Sequence, residues 1–218
     1  MRPVPARRPP KRLVEASEQL AELDPVMAKM LERIGPCDLR RGRPRLPHFA
    51  ELARAINYQQ LAGPAAAAIH GRFAALFDGD AATPEAVLAM PVARLRGAGL
   101  SASKAASIRD LAEKVVDGSV QLDRIARLPD DEVVRELTLV RGIGRWTAEM
   151  FLIFQLGRLD VWPVDDYGVR KGYARLYGLG DLPPPRELEQ LGERFHPYRS
   201  VAAWYCWRGA STVTPGEP

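Results

Sequence analysis

Apolar positions along this chain recur mostly at helical spacing. Leu20, Leu23, Met27, Met30, Leu31 and Ile34 fall on one stripe that stops at Gly35-Pro36, a pair that ends helices because one residue lacks a Cβ and the other an amide hydrogen. A second helical zone covers 49–76 and breaks at Gly63-Pro64. The first turn of a helix leaves its amide hydrogens unused, so Pro64 is suited to open a helix over 65–76. Thr83-Pro84-Glu85 starts a short helix behind a capping threonine. Ser101 or Ser103 caps a helix over 104–116, and Pro129-Asp130-Asp131 opens one over 132–137. There follow a glycine hairpin, a helix over 145–156, a Trp-Pro loop, a helix over 166–177, a break at Pro183-Pro184-Pro185 and the last helices. Alternation with period two is confined to 159–164, so the pattern predicts an all-α fold.

Composition narrows the function classes. Apolar residues make up 46% of 218, enough for a real core in one large domain or two small ones. No stretch has the unbroken apolar length of a membrane span, so no membrane partner is expected. The first twelve residues, rich in Pro and Arg, read as a disordered basic arm and lack the apolar centre of a secretory signal. Two cysteines far apart, Cys37 and Cys206, and three histidines without metal-ligand spacing argue against an iron–sulfur cluster and a zinc site. Reduced cysteines and no export signal predict a cytoplasmic, nucleoid-associated protein. The net charge of +4 permits a polyanion partner, but the excess lies in the first 45 residues and the remainder is about neutral. A grip on DNA by the body must come from placed groups and backbone dipoles.

The most informative run is Leu137-Thr138-Leu139-Val140-Arg141-Gly142-Ile143-Gly144-Arg145-Trp146-Thr147-Ala148-Glu149-Met150. Two glycines one residue apart separate two helical segments. Glycine permits left-handed backbone and close approach by another chain. The following helix starts with unpaired amides and a positive dipole end, a phosphate cradle that needs no cationic side chain. An ordinary glycine-capped turn would carry the same Gly-x-Gly. The flanking Leu, Val, Ile and Thr-Ala make the run similar to the helix–hairpin–helix DNA-binding motif.

Downstream stands Leu159-Asp160-Val161-Trp162-Pro163-Val164-Asp165-Asp166-Tyr167-Gly168-Val169-Arg170-Lys171. With it the chain resembles the helix–hairpin–helix–Gly/Pro–Asp superfamily of DNA glycosylases, and within that the 3-methyladenine DNA glycosylase II type of the alkylation-repair branch. Asp24-Pro25, Ile34-Gly35-Pro36, Arg54-Ala55-Ile56-Asn57-Tyr58-Gln59-Gln60-Leu61, Gly99-Leu100-Ser101 with Lys104-Ala105, and Pro197-Tyr198-Arg199-Ser200 extend the match from about residue 24 to 207.

The resemblance implies a base-excision-repair enzyme that flips an alkylated base, such as 3-methyladenine, out of duplex DNA and hydrolyses its N-glycosidic bond. Asp166 would be the catalytic carboxylate. Breaking that bond builds oxocarbenium character on the sugar, which a buried anion at a helix N-terminus stabilises. Asp166-Tyr167-Gly168-Val169 fits the family pattern, and Asp165 falls where the family varies. A helix N-cap is the plain structural reading of either aspartate. Relatives that also cut the strand carry a Schiff-base Lys two residues after the second glycine. That position is Trp146 here, which implies a monofunctional enzyme. A non-catalytic DNA-binding protein and a bifunctional glycosylase/lyase are the alternatives.

Further roles carried by the resemblance are a base pocket of Trp146, Met150, Trp207 and Tyr167, phosphate contacts at Gly142, Gly144 and Thr147, and a DNA wedge at Gln60, with Leu61 the competing wedge. Aromatic faces suit a base made cationic by alkylation. Trp146 and Met150 share a helical face, but Met150 stands where the branch commonly has an aromatic. No catalytic cofactor is expected. A structural sodium or potassium ion is expected at the carbonyls of Thr138, Val140 and Ile143. The expected architecture is a monomer of two helical subdomains with a cleft between them. One is central, over 49–158, and one is discontinuous, over 13–48 and 159–218.

Overall fold

The computed structural model describes residues 9–39, 46–61, 63–77 and 81–212. Among them the α-helices are α1 (Lys11–Leu23), α2 (Pro25–Ile34), α3 (His48–Tyr58), α4 (Gly63–Ala74), α5 (Pro84–Ala89), α6 (Val92–Gly97), α7 (Ala102–Val116), α8 (Asp130–Thr138), α9 (Arg145–Phe151), α10 (Tyr167–Leu176), α11 (Pro185–Gly192) and α12 (Arg199–Thr212). No strand forms among these residues, so the fold is all-α. The basic arm lies mainly outside the described residues. Its last two positions, Lys11 and Arg12, instead open α1, because the Pro10 carbonyl accepts the amides of Leu13 and Val14 and starts the helix early.

Contacts divide the chain into Met1–Arg43 with Gly157–Pro218, and Pro44–Leu156. In the first unit the apolar stripe of residues 20–34 is two helices rather than one. Asp24 is extended (φ −145°, ψ 120°), and its carboxylate accepts the amides of Val26 at 2.9 Å and Met27 at 3.1 Å. It thereby caps α2 where α1 ends. The 3.6-residue spacing runs across this break, so periodicity alone hides it. Asp24 also accepts the Tyr177 hydroxyl at 2.9 Å and pairs with Arg194 at 3.6 Å. The Arg194 guanidinium lies 4.4 Å from the Tyr177 ring centre. Leu20, Met27, Tyr173, Phe195 and Tyr205 form the buried centre of this unit.

In the second unit Leu52, Ile56, Phe73, Leu95, Ile108, Leu111 and Ile125 are fully buried. Long cations close helix ends here. Arg72 donates to the Ala98 carbonyl behind α6 at 2.9 Å, and Arg109 reaches the Met90 carbonyl behind α5 at 3.2 Å. Both satisfy terminal carbonyls that lack partners within their helix. Capping residues fall where the pattern puts them at Thr83 and at Ser101, whose hydroxyls accept the amides of Ala86 and Lys104. The helix expected over 145–156 keeps α geometry only to Phe151. It then widens into a π segment, Leu152–Leu156, that ends at Gly157 with φ +71°.

The packing of α10 on α12 is the closest in the first unit. A Cβ added at Gly172 would lie 1.8 Å from the Cys206 backbone oxygen, and one at Gly209 would lie 2.8 Å from Leu176 Cγ. Backbone cannot yield as a side chain tip can, so Gly172→Ala forces the helices apart. We expect a loss of about 3 kcal/mol, the upper range for overpacking, and a melting temperature lower by roughly 6–12 °C in a thermal unfolding scan. An unchanged melting temperature would show that the two helices do not need this contact.

Candidate active site and DNA-contacting hairpin

The segment that leads to Asp166 is extended but is not a strand. It is pinned along the start of α12. The Ser200 amide donates to the Leu159 carbonyl (2.9 Å), and the Ser200 hydroxyl accepts the Val161 amide (2.9 Å). Arg199 grips Asp160 through Nε (2.8 Å) and Nη2 (3.1 Å), and His196 Nδ1 lies 2.7 Å from the same carboxylate. Trp162 donates its indole N–H to the Leu188 carbonyl at 2.7 Å. The alternation read at 159–164 is therefore not that of a strand: consecutive residues 159, 160 and 161 all bond to the start of α12, and 161, 162 and 163 are all buried.

Asp166 follows as the N-cap of α10. Its Oδ1 accepts the Val169 amide at 2.8 Å and the Trp207 indole N–H, also at 2.8 Å. Asp166 is 9% exposed, whereas Asp165 is exposed. The capping role weighed for both aspartates thus belongs to Asp166. An anion at this place meets the positive end of the helix dipole. Gly168 makes the approach of Trp207 possible, because a Cβ there would lie 2.8 Å from Trp207 Cδ1 and 3.1 Å from Asp166 Oδ1. Beneath them Cys206 is fully buried, and its thiol is pushed far up, first by burial and then by the Asp24 and Asp166 carboxylates. Tyr167 is 62% exposed, with the Lys171 ammonium 6.0 Å from its ring centre. Asp166, Tyr167 and Trp207 are therefore neighbours within the first unit.

The hairpin belongs to the second unit. Val140 and Ile143 are buried and anchor the turn, and the Ile143 amide donates to the Val140 carbonyl at 3.1 Å. Gly142 takes φ +78°, a conformation that favours glycine, and a Cβ there would lie 2.7 Å from Ser107 Oγ, which would have to shift. The Arg141 amide donates to Asp110 Oδ2 at 2.7 Å. Burial raises the Asp110 carboxyl, but hydrogen bonds from Lys114 and the Arg141 amide outweigh it and hold the group below the usual range. Gly144 leads into α9 in extended geometry with no side-chain cap. The first amides of α9 thus start without a side-chain acceptor, as a phosphate cradle requires.

The other positions named for this unit divide. Gly142 and Gly144 are exposed. Thr147 is buried, and its hydroxyl accepts the Gln59 side-chain amide at 3.3 Å, so that hydroxyl is engaged inside the protein. Trp146 is 44% exposed on the first turn of α9, and Met150 is half-buried one turn later. Gln60 is exposed and takes φ +56°, the positive φ found among non-glycine residues described. Leu61 beside it is 39% exposed. Thr138 ends α8, and Val140 and Ile143 lie in the turn that follows it, where the Val140 carbonyl accepts the Ile143 amide.

Residues 53–197 match the model of the HhH-GPD superfamily of base excision DNA repair proteins. The chain belongs to this superfamily. It is 36% identical to DNA-3-methyladenine glycosylase 1 of Schizosaccharomyces pombe, over 94% of this chain and 91% of that protein. Among solved structures it is similar to the S. pombe 3-methyladenine DNA glycosylase in complex with abasic DNA, with a TM-score of 0.80, 36% identity, and coverage of 89% of this chain and 95% of the other. It is also similar to a DNA-3-methyladenine glycosidase of Bacillus halodurans, with a TM-score of 0.82, 34% identity, and coverage of 90% and 89%.

In this HhH-GPD chain several supporting groups escape sequence reasoning. Ser107 and Asp110 on α7 brace the hairpin, Gly168 admits Trp207, and Gln59 and Lys104 hold the turn at Gln60. Gln59, Lys104 and Gly168 lie inside matched motifs, but their partners are distant in sequence and their types are common.

Asp110→Ala removes the acceptor for the Arg141 amide. It should cost about 1 kcal/mol at neutral pH. Because the folded-state carboxyl is depressed, this contribution is present above the ordinary carboxylate range and disappears as pH falls through the lowered value. Melting temperatures of parent and variant should therefore differ at pH 7 and converge once the pH has fallen below the ordinary carboxylate range. A difference independent of pH would mean that the carboxylate is not what braces the turn.

Proposed function

We propose that this protein is a monofunctional DNA glycosylase that removes alkylated bases, 3-methyladenine among them, from duplex DNA. The observation that carries the reading is the buried Asp166 carboxylate, held on one oxygen by the Trp207 indole and the Val169 amide at the N-terminus of α10. The names of the similar enzymes support the substrate class. As the glycosidic bond stretches, positive charge grows on the deoxyribose, and a fixed anion at low local dielectric stabilises it. The same carboxylate orients the water that attacks the sugar. Cleavage leaves a free base and an abasic site.

A base that alkylation has made cationic is a good leaving group, so one carboxylate and aromatic surface suffice. Tyr167 and Trp207, beside Asp166, offer that surface for a cationic base. Gln60 fills the gap left in the duplex and hydrogen-bonds the orphaned partner base. The hairpin amides around Gly142 and Gly144 seat a phosphate. A sodium or potassium ion held by the Thr138, Val140 and Ile143 carbonyls would add positive charge beside it. With Trp146 at the position where lyases carry their Schiff-base Lys, the chain has no amine there for attack on the sugar.

Release of radiolabelled bases from methylated DNA tests this reading. Asp166→Asn keeps an oxygen that can cap α10, so the fold should hold, while single-turnover release falls about a hundredfold or more and duplex affinity is retained. Trp207→Phe keeps ring volume but loses the donor to Oδ1, and should slow release about tenfold, the worth of one hydrogen bond to a charged group. Borohydride should trap no covalent DNA adduct. Release undiminished in Asp166→Asn would remove the carboxylate mechanism, and a trapped adduct would make the enzyme a lyase.

A further inference from the structure

Helix α3 ends at Tyr58, and the chain turns sharply at Gln60, whose φ of +56° is a left-handed conformation that L side chains adopt at a steric cost. Such geometry persists only where surroundings over-determine it. Two side chains do so here. Lys104 Nζ, from α7, donates to the carbonyls of Asn57 and Gln59, both at 2.8 Å. These are terminal α3 carbonyls, and a cation is the matching charge for that helix end. Gln59 Nε2 then reaches across the fold. It donates to the Gly142 carbonyl at 2.9 Å and to the Thr147 hydroxyl at 3.3 Å. Its two N–H groups thus span the turn of the hairpin and the first turn of α9.

Each end of this link has further contacts of its own. Gly142 passes so close to Ser107 that a Cβ would meet its hydroxyl, and the preceding amide of Arg141 is held by Asp110. The Gln59 backbone is held by Lys104. One primary amide therefore joins the turn that presents Gln60 to the hairpin, across 83 residues of sequence.

We propose that Gln59 is a positioning residue that latches the Gln60 turn to the hairpin, so that seating a phosphate on the hairpin and driving Gln60 into the duplex are one rigid event. This rests on the reading of Gln60 as the wedge. Ordering a free turn at the moment of insertion costs conformational entropy. The latch meets that cost during folding. It also fixes the distance between the phosphate grip and the inserted side chain, and base flipping depends on that distance.

Gln59→Glu tests the latch, because Glu has nearly the same volume but no N–H to donate. A role in filling space survives the change, and a role as a double donor does not. Three measurements on the full chain are compared with Gln60→Ala: anisotropy of binding to undamaged duplex, stopped-flow fluorescence of 2-aminopurine beside the lesion, and single-turnover base release. Gln59→Glu should bind undamaged duplex within about threefold of the parent, yet slow both flipping and release about tenfold or more. Release should recover toward the parent rate when the lesion faces an abasic site, where there is no pair to break. If Gln60→Ala slows flipping and Gln59→Glu does not, the latch is overturned and the wedge stands. If Gln60→Ala leaves flipping unchanged, the wedge reading fails and the latch with it. Equal losses in binding, flipping and release, on paired and unpaired lesions alike, would reduce Gln59 to a structural residue.

Discussion

The contact on which the proposed chemistry depends is the close approach of α10 to α12. Gly172 lies against the Cys206 carbonyl, Gly209 against Leu176, and Gly168 against Trp207. Gly168 and Gly172 are one helical turn apart, so α10 offers a strip without side chains along which α12 runs. Any larger residue on that strip would lift α12 away and take the Trp207 indole out of reach of Asp166. Because the indole comes from a packed helix, the carboxylate is oriented before any substrate arrives. Such preorganisation makes electrostatic stabilisation effective, since no reorganisation is needed as charge develops.

A second theme is how the cations are used. Lys104 holds α3 carbonyls, Arg72 and Arg109 hold the ends of α6 and α5, Arg170 holds the Pro183 carbonyl, Arg175 the Ala210 carbonyl, and Arg199 the Asp160 carboxylate. These groups are committed to the fold. A net charge of +4 therefore overstates what the body can offer to phosphates. On the proposed function the hairpin would supply backbone amides instead, which carry partial charge and displace few counterions. For such a site orientation matters more than bulk attraction, and affinity should depend only weakly on salt compared with a surface of lysines.

Helical periodicity predicts most of the helices because each buries a single stripe. It misses what does not interrupt the stripe. The break at Asp24 keeps the spacing of its neighbours, and the π segment at Leu152–Leu156 is apolar on both sides of the change in winding. Helix α6 escapes because no side-chain cap marks its start, whereas the equally short α5 opens behind Thr83. For the candidate site, motif resemblance separates Asp166 from Asp165, and burial divides them the same way. The supporting groups are illegible for another reason. Gln59 is 83 residues from Gly142, and Asp110 is 31 from Arg141. Gln and Asp at helix ends and surfaces are ordinary, and only folding reveals that their partners are turn amides and carbonyls. Trp207 was readable as an aromatic but not as a donor, since its role lies in the direction of one N–H.

That direction bears on selectivity. A tryptophan that merely stacks can rotate to suit different bases. Trp207 donates to Asp166 Oδ1, and Gly168 lies beside its ring edge, so turning the ring would break the bond to the carboxylate. The aromatic face and the anion are thus fixed to one another. Any base that stacks on that face does so at a set distance from the carboxylate. Neutral bases gain only dispersion from this arrangement, whereas a cationic base also gains the attraction of the ring face and a weaker glycosidic bond. On the proposed function, selectivity for alkylated bases would follow from charge and bond strength acting at one fixed geometry, without a hydrogen bond to each lesion.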